Sequence, residues 1–436
     1  MEGLEYEYAG ETSNSNSKWT TTTKVFFVLL IFIILLLIAA SVFFFLKTED
    51  KDDDNNENFL KNEIIYIENG TYLDFDGIKY SNISYSNNGI ILNTFKKDGE
   101  NYKEELGNIN KGNDYKQSQY NYYDLYIPFT NQERKKGYNQ IFLFIHGGAW
   151  ISGYKEKMEF FCQTYTQLGY ITVTMDYTLV NNSDYESNAF RMIDEISTVI
   201  KNVKERLKKE GFNENKLELA IGGSSAGGHL SLLYAYSIKN PAIPIKFIIN
   251  LSGPTTLELK YFTKIKNEET LENIQPNDIK EAKKQNKTEG LGETMDRFSL
   301  SLMNLLTEKK YSENELKPII NQKDGKVNEE NEIYQNILKL MKYAIPVNYV
   351  DENSLPTLCI YGGKDTVVGI EMYSLLKEKF DEKKNKKIEL VYSRNWKHST
   401  EIFKNNDGIY ETQQIHYKIL EFAQKYFKSN PNLIFM

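Results

Sequence analysis

The chain has 436 residues, enough for one large domain with appendages or for two domains. Its net charge is −7 with both signs scattered along the sequence, so no basic face argues for nucleic acid. Two cysteines, Cys162 in a helix-like stretch and Cys359 in a strand-like one, supply neither a disulfide framework nor a metal site.

Residues 1–24 are polar and rich in Ser, Thr and Asn, the composition of a disordered tail. Val25 to Leu46 then runs without a charge. As a helix it spans roughly 33 Å against about 30 Å of bilayer hydrocarbon, so a transmembrane helix over residues 25–46 is predicted. A signal peptide is the rival, but it calls for a shorter apolar core of about 7–15 residues and a small-residue cleavage site. Lys18 and Lys24 before the stretch and Lys47 and Lys51 after it tie under the positive-inside rule. A short tail before a single anchor favours a cytosolic amino terminus, with the catalytic part lumenal or extracellular. The sequons Asn69-Gly70-Thr71 and Asn82-Ile83-Ser84 are compatible with that side, and also with chance in an asparagine-rich chain.

Residues 47–119 read as a charged stalk, to about residue 60, followed by leading β-strands between Ile64 and Leu92 and a polar loop from Glu100 to Gln119. Tyr122 to Ile127, closed by Pro128, alternates like a strand at a sheet edge. Across residues 120–430 the pattern turns regular. Strands are predicted at Ile141–Ile145, Ile171–Met175, Leu217–Ile221, Phe247–Leu251, Leu358–Tyr361 and Ile388–Tyr392. Helices are predicted near Glu156–Leu168 and Ser187–Leu207. The second places Phe190, Ile193, Ile196, Ile200, Val203 and Leu207 on one face, with Gly211 suited to its end. Such alternation means a mostly parallel sheet with helices on both faces, whose ligands bind beyond the carboxyl ends of the strands. Thr255 to about Ile345 breaks the rhythm. Its helical patches, Phe298–Leu306 and Ile333–Met341, mark an inserted helical cap, the alternative being a disordered insertion in its first half.

Two motifs fall at predicted strand ends. Gly223-Ser224-Ser225-Ala226-Gly227 follows the Leu217 strand and opens an apolar helix, so Ser225 has glycine two residues before and two after, the G-x-S-x-G elbow of a nucleophilic serine. Alone it is weak, because glycine turns between strand and helix are ordinary. His146-Gly147-Gly148-Ala149-Trp150 follows the Ile141 strand, and its glycines let backbone N–H groups face a cavity, which stabilising an oxyanion requires. The donors are expected to be the N–H groups of Gly148, Ala149 and Ala226, with His146 orienting the loop and Trp150 either walling an acyl pocket or packing.

A serine nucleophile needs a base held by a carboxylate. Of four histidines, His229 sits one helical turn past Ser225 and His416 lies inside the last amphipathic helix. That leaves His398, in the loop after the last strand. Asp365, reached through Gly362-Gly363-Lys364, is the expected acid, with Asp351 and Asp381 as outsiders.

HGGAW, GSSAGGH, Met175-Asp176-Tyr177, YGGKD and the final His398 together resemble the α/β-hydrolase superfamily. More narrowly they are similar to its esterases with an HGGxW oxyanion loop: kynurenine formamidases, prenylcysteine methylesterases and the feruloyl and acetyl xylan esterase-like group. The similarity covers roughly Tyr120 to Phe427. It implies an α/β-hydrolase fold and a serine carboxylic ester hydrolase acting on a small-molecule or lipid-like ester. Ile151-Ser152-Gly153-Tyr154-Lys155 adds a likeness to prenylcysteine methylesterases. A non-catalytic interaction module is the reading from another class. Nothing in the sequence implies a metal or an organic cofactor.

Overall fold

The computed structural model describes residues 70–72, 77–85, 96–97, 100–101, 121–128, 135–180, 187–262, 302–306, 311–319, 327–365, 367–398 and 409–431. The chain divides into two units, residues 1–66 and 67–436, and the described residues all belong to the second. The expected tail at 1–24, anchor at 25–46 and stalk at 47–60 lie outside them, as do residues 263–300 of the insertion. Among the described residues no helix is long and apolar enough to cross a membrane. The single-pass membrane location with a lumenal or extracellular catalytic domain is therefore withdrawn.

Alternation along the central strands dictates the layering. On β6 (Asn139–Ile145), Ile141, Leu143 and Ile145 join one buried cluster, while Phe142 and Phe144 join another. Successive strand residues point to opposite faces, so a strand apolar at every position must be covered on both. The same split recurs on β10 (Thr357–Gly362), where Cys359 and Tyr361 go one way and Leu358 and Ile360 the other. The first face packs against α2 (Ala189–Lys209), α3 (Ala226–Ser237) and α5 (Glu371–Glu382), and also receives α4 (Glu332–Ala344) of the insertion. The second face is covered by α1 (Glu159–Gln167) and α6 (Ile409–Tyr426). At its centre Phe142 meets Tyr165 of α1 and Phe247, Tyr170 and Phe427 at ring separations of 4.8–6.0 Å.

The remaining strands are β1 (Gly70–Tyr72), β2 (Gly77–Ser84), β5 (Tyr122–Pro128), β7 (Ile171–Met175), β8 (Leu217–Ser224), β9 (Ile245–Leu251) and β11 (Ile388–Ser393), with β3 (Lys96–Lys97) and β4 (Glu100–Asn101) in a ladder of their own. The sheet order is β1-β2-β5-β7-β6-β8-β9-β10-β11. From β7 to β11 every neighbouring pair is parallel, while β1, β2 and β5 are antiparallel additions. Parallel pairing brings the carboxyl ends of β6, β8, β9, β10 and β11 to one rim.

Two expectations change. Tyr122–Pro128 is an interior strand, paired with β2 on one side and β7 on the other. Pro128 is tolerated because it stands at the strand's last position, opposite Gly77. The helix expected from Glu156 begins instead as a 3-10 turn at Lys155–Met158, becoming α-helical at Glu159. The described parts of the insertion, including Leu302 to Leu306 and α4, pack on the first-face core.

Candidate active site

β8 ends at Ser224 and α3 begins at Ala226, so Ser225 alone reverses the chain. It does so at φ 54° and ψ −117°, a backbone state that costs a non-glycine residue about 1–3 kcal/mol. Its N–H donates to Leu251 O at 2.8 Å, and its carbonyl accepts the His229 N–H at 3.0 Å. Room for this turn depends on glycine, since a Cβ on Gly227 would lie 2.1 Å from Ile145 O. Gly223, opposite Ile145 in register, packs against Gly227.

The loop after β6 backs directly onto this turn. A Cβ on Gly147 would stand 2.8 Å from Ser224 O and 3.1 Å from Ser225 Cβ. Gly148, Ala149 and Trp150 then adopt successive positive φ values of 123°, 51° and 60°. The curl is tied by the N–H groups of Ile151 and Ser152, both donating to Gly148 O at 3.1 and 3.0 Å. It leaves the N–H groups of Gly148 and Ala149 with no acceptor among the described residues. Ala226, as first residue of α3, has no intrahelical acceptor either, and the positive end of the helix dipole lies there.

His398 Nε2 lies 2.8 Å from Ser225 Oγ, and His398 Nδ1 lies 2.8 Å from Asp365 Oδ2. An ionised carboxylate only accepts, so Nδ1 carries the proton and Nε2 presents a lone pair to the serine hydroxyl. The other carboxylate oxygen, Asp365 Oδ1, accepts the N–H groups of Val367 and Val368 at 2.9 and 2.8 Å. Lys364 N–H donates to Trp396 O at 2.9 Å and Gly363 N–H to Ser393 O at 2.8 Å, which binds the loop of Asp365 to the loop of His398. The Asp365 side chain is fully buried, while that of His398 is 21% exposed and so reachable from solvent. Asp351 instead accepts from Lys239 at 3.2 Å, and Asp381 pairs with Lys377 and Lys386 on the surface.

Of the other three histidines, His146 and His229 are buried and His416 is half-buried. Burial lowers His146, His229 and His416 to pKa values of about 4. His146 donates from Nδ1 to Gly147 O at 2.8 Å and stacks on Tyr177 at 4.3 Å, and the Tyr177 hydroxyl donates to His146 O at 3.1 Å. His416 contacts the Tyr165 hydroxyl at 3.0 Å. Trp150 is fully buried, its carbonyl accepting the Val180 N–H at 2.9 Å.

Several supporting groups escaped the sequence reading. Asp176 accepts the Lys155 N–H at 2.7 Å and stands 3.9 Å from His146 Nε2. Burial, against the pull of Lys155, raises its pKa to about 7. The Lys155 ammonium is itself buried, paired with Asp124 at 3.3 Å and with Glu156. Glu195, fully buried on α2, accepts from Thr178 N–H at 2.8 Å, Arg191 Nε at 3.0 Å and Asn121 Nδ2 at 3.2 Å, fixing the segment that leads to Val180. Met175-Asp176-Tyr177 was visible as a motif, but its partners are set by folding. Among the described residues no cluster of three or more His, Cys, Asp or Glu could hold a metal ion.

Residues 123–380 match the family model BD-FAE, more than half of the chain. The chain belongs to the BD-FAE family. That family is an esterase family of the α/β-hydrolase fold, and this BD-FAE chain is accordingly a carboxylic ester hydrolase. No curated protein matches it in sequence. Solved structures similar to this BD-FAE chain include esterase B from Lactobacillus rhamnosis, at 13% identity, with 81% of this chain and 88% of that one covered and a TM-score of 0.48. A truncated carbohydrate esterase from gut microbiota has 15% identity, coverage of 80% and 98%, and a TM-score of 0.44. A hyperthermophilic esterase from the archaeon Pyrobaculum calidifontis has 18% identity, coverage of 69% and 81%, and a TM-score of 0.45. The family assignment rests on the family match.

Proposed function

We propose that this esterase works through an acyl-enzyme on Ser225. The observation that carries the reading is the unbroken hydrogen-bond chain from Ser225 Oγ to His398 to Asp365, with both links at 2.8 Å. Ser225 Oγ attacks the ester carbonyl as His398 Nε2 takes its proton. Negative charge passes to the carbonyl oxygen, where the N–H groups of Gly148, Ala149 and Ala226 receive it, each such donor being worth about 2.7–4 kcal/mol in the transition state. The imidazolium is stabilised by Asp365 and hands its proton to the departing alkoxide. A water activated by the same imidazole then releases the acid. Lys155 is paired with Asp124 and Glu156, so its ammonium is not available to hold a charged alcohol group.

The test is hydrolysis of p-nitrophenyl acyl esters together with labelling by a fluorophosphonate probe. Ser225→Ala should abolish labelling and lower kcat by about 10⁵-fold or more. A folded native protein that takes no label at Ser225 would defeat the reading.

A further inference from the structure

The insertion between β9 and β10 leaves the sheet and returns to it at one place. Val347 N–H donates to Thr255 O at 3.2 Å, so the two ends of the inserted segment are bonded to each other. Thr255 Oγ1 donates to Met372 O at 2.7 Å, fastening that neck to α5. A second tie reaches it from α3. His229 Nε2 lies 2.8 Å from the carbonyl oxygen of Ala344, the last residue of α4. A carbonyl only accepts, so Nε2 carries the ring proton, and Nδ1 is left as a buried lone pair with no partner among the described residues. The imidazole meets the Trp150 ring edge to face, at 5.2 Å and 89°. Its own backbone N–H holds the Ser225 carbonyl. One fully buried side chain thus touches the helix that follows the nucleophile, the anion-binding loop and the exit of the insertion.

We propose that His229 is a positioning residue that couples the insertion to the reaction. Its bond to Ala344 sets where α4 ends relative to Ser225 and holds the side chain at position 229 against Trp150, in the loop bearing Gly148 and Ala149. Movement of the insertion to fit an acyl group is thereby transmitted to the oxyanion donors, and acyl selection depends on the side chain at position 229. This inference rests on the reading of Ser225 as the nucleophile.

Two variants separate the hydrogen bond from the ring. His229→Phe keeps an aromatic ring beside Trp150 and deletes the donor. His229→Gln restores an N–H the same number of bonds from Cα and deletes the ring's aromaticity. Steady-state kinetics on p-nitrophenyl acetate, butyrate and octanoate give one readout. His229→Phe should lower kcat by about tenfold or more, since small displacements near the chemistry are amplified in rate. It should also change the octanoate to acetate ratio of kcat/KM by about threefold or more, with His229→Gln returning both to within about threefold of native. Amide hydrogen exchange gives a second readout that needs no turnover. Residues 344–350 and 148–152 should exchange faster in His229→Phe and at the native rate in His229→Gln.

Glutamine as impaired as phenylalanine, or unchanged acyl preference and unchanged exchange in the phenylalanine variant, would overturn the coupling. A native protein inert to all three esters and to the fluorophosphonate would overturn the esterase mechanism instead. The exchange comparison would then decide the coupling alone. Should His229→Phe fail to fold, His229→Asn, whose amide is too short to reach Ala344, takes its place with the same expected outcomes.

Discussion

Every residue from Leu217 to Ser237, through the turn at Ser225, is buried, whereas around His398 the exposed Arg394, Asn395 and Lys397 surround a single buried Trp396. The first region is fixed by packing: glycine against backbone at the turn, and strand against helix on either side. The second is fixed by hydrogen bonds, to Asp365 and Ser225 from the imidazole and to Lys364 and Gly363 from the loop backbone. Under the proposed mechanism, a nucleophile on a strained turn needs surroundings that over-determine it, while a base that shuttles a proton needs aim more than compression. Errors in the first region should therefore appear as lost stability, and errors in the second as lost rate.

The largest effect that would sharpen this contrast is on rate. Asp365→Asn should cut kcat by about 10⁴-fold, because an amide at this position stabilises the wrong tautomer of His398. Thermal denaturation of the same variant should stay within a few degrees of native, since Val367 and Val368 keep an oxygen acceptor; a collapse of the fold would erase the proposed division. Next comes stability. Gly227→Ala drives a methyl into Ile145 O and should cost on the order of 3 kcal/mol in urea unfolding, against less than about 0.5 kcal/mol for the exposed Asn395→Ala. Equal costs at the two sites would break the comparison.

A further effect is graded with pH. His146, His229 and His416 have folded-state pKa values lowered to about 4 by burial. The unfolded chain protonates first as pH falls, so their contribution is complete above about pH 6.5 and is lost on the way down to about pH 4. Asp176 opposes them. Raised to about 7, it holds a proton in the folded state between about pH 7 and 4 that the unfolded chain lacks, which adds stability on acidification. Three imidazoles outweigh one carboxyl, so the urea midpoint should decline from pH 6.5 to 4. A flat or rising midpoint would mean that these rings are not held neutral by burial.

The central strands were legible because a parallel sheet covered on both faces demands continuous apolar runs, and Ile141–Ile145 or Phe247–Leu251 admit few other readings. Strand ends were legible for the same reason, which puts Ser225, Asp365 and His398 in loops at one rim from the sequence alone. Tyr122–Pro128 misled because its alternation and closing proline are what an edge strand has, and the two strands that flank it lie far away in sequence. Apart from Ser225, His398 and Asp365, which their motifs and strand ends pointed to, long-range polar partners were hidden. Nothing near His229 names Ala344, 115 positions on, and nothing near Glu195 names Asn121 or Thr178. Such pairs exist only once the chain is folded, so periodicity and motif carry no trace of them.

The meeting of Thr255 and Val347 has a bearing on how such an enzyme changes over time. A segment whose two ends already touch behaves as a cassette: lengthening or replacing it adds little loop-closure entropy, and the sheet on either side need not shift. Under the coupling proposed above, selectivity can be rewritten within the cassette while the parts proposed for hydrolysis, borne by other strands, are inherited intact.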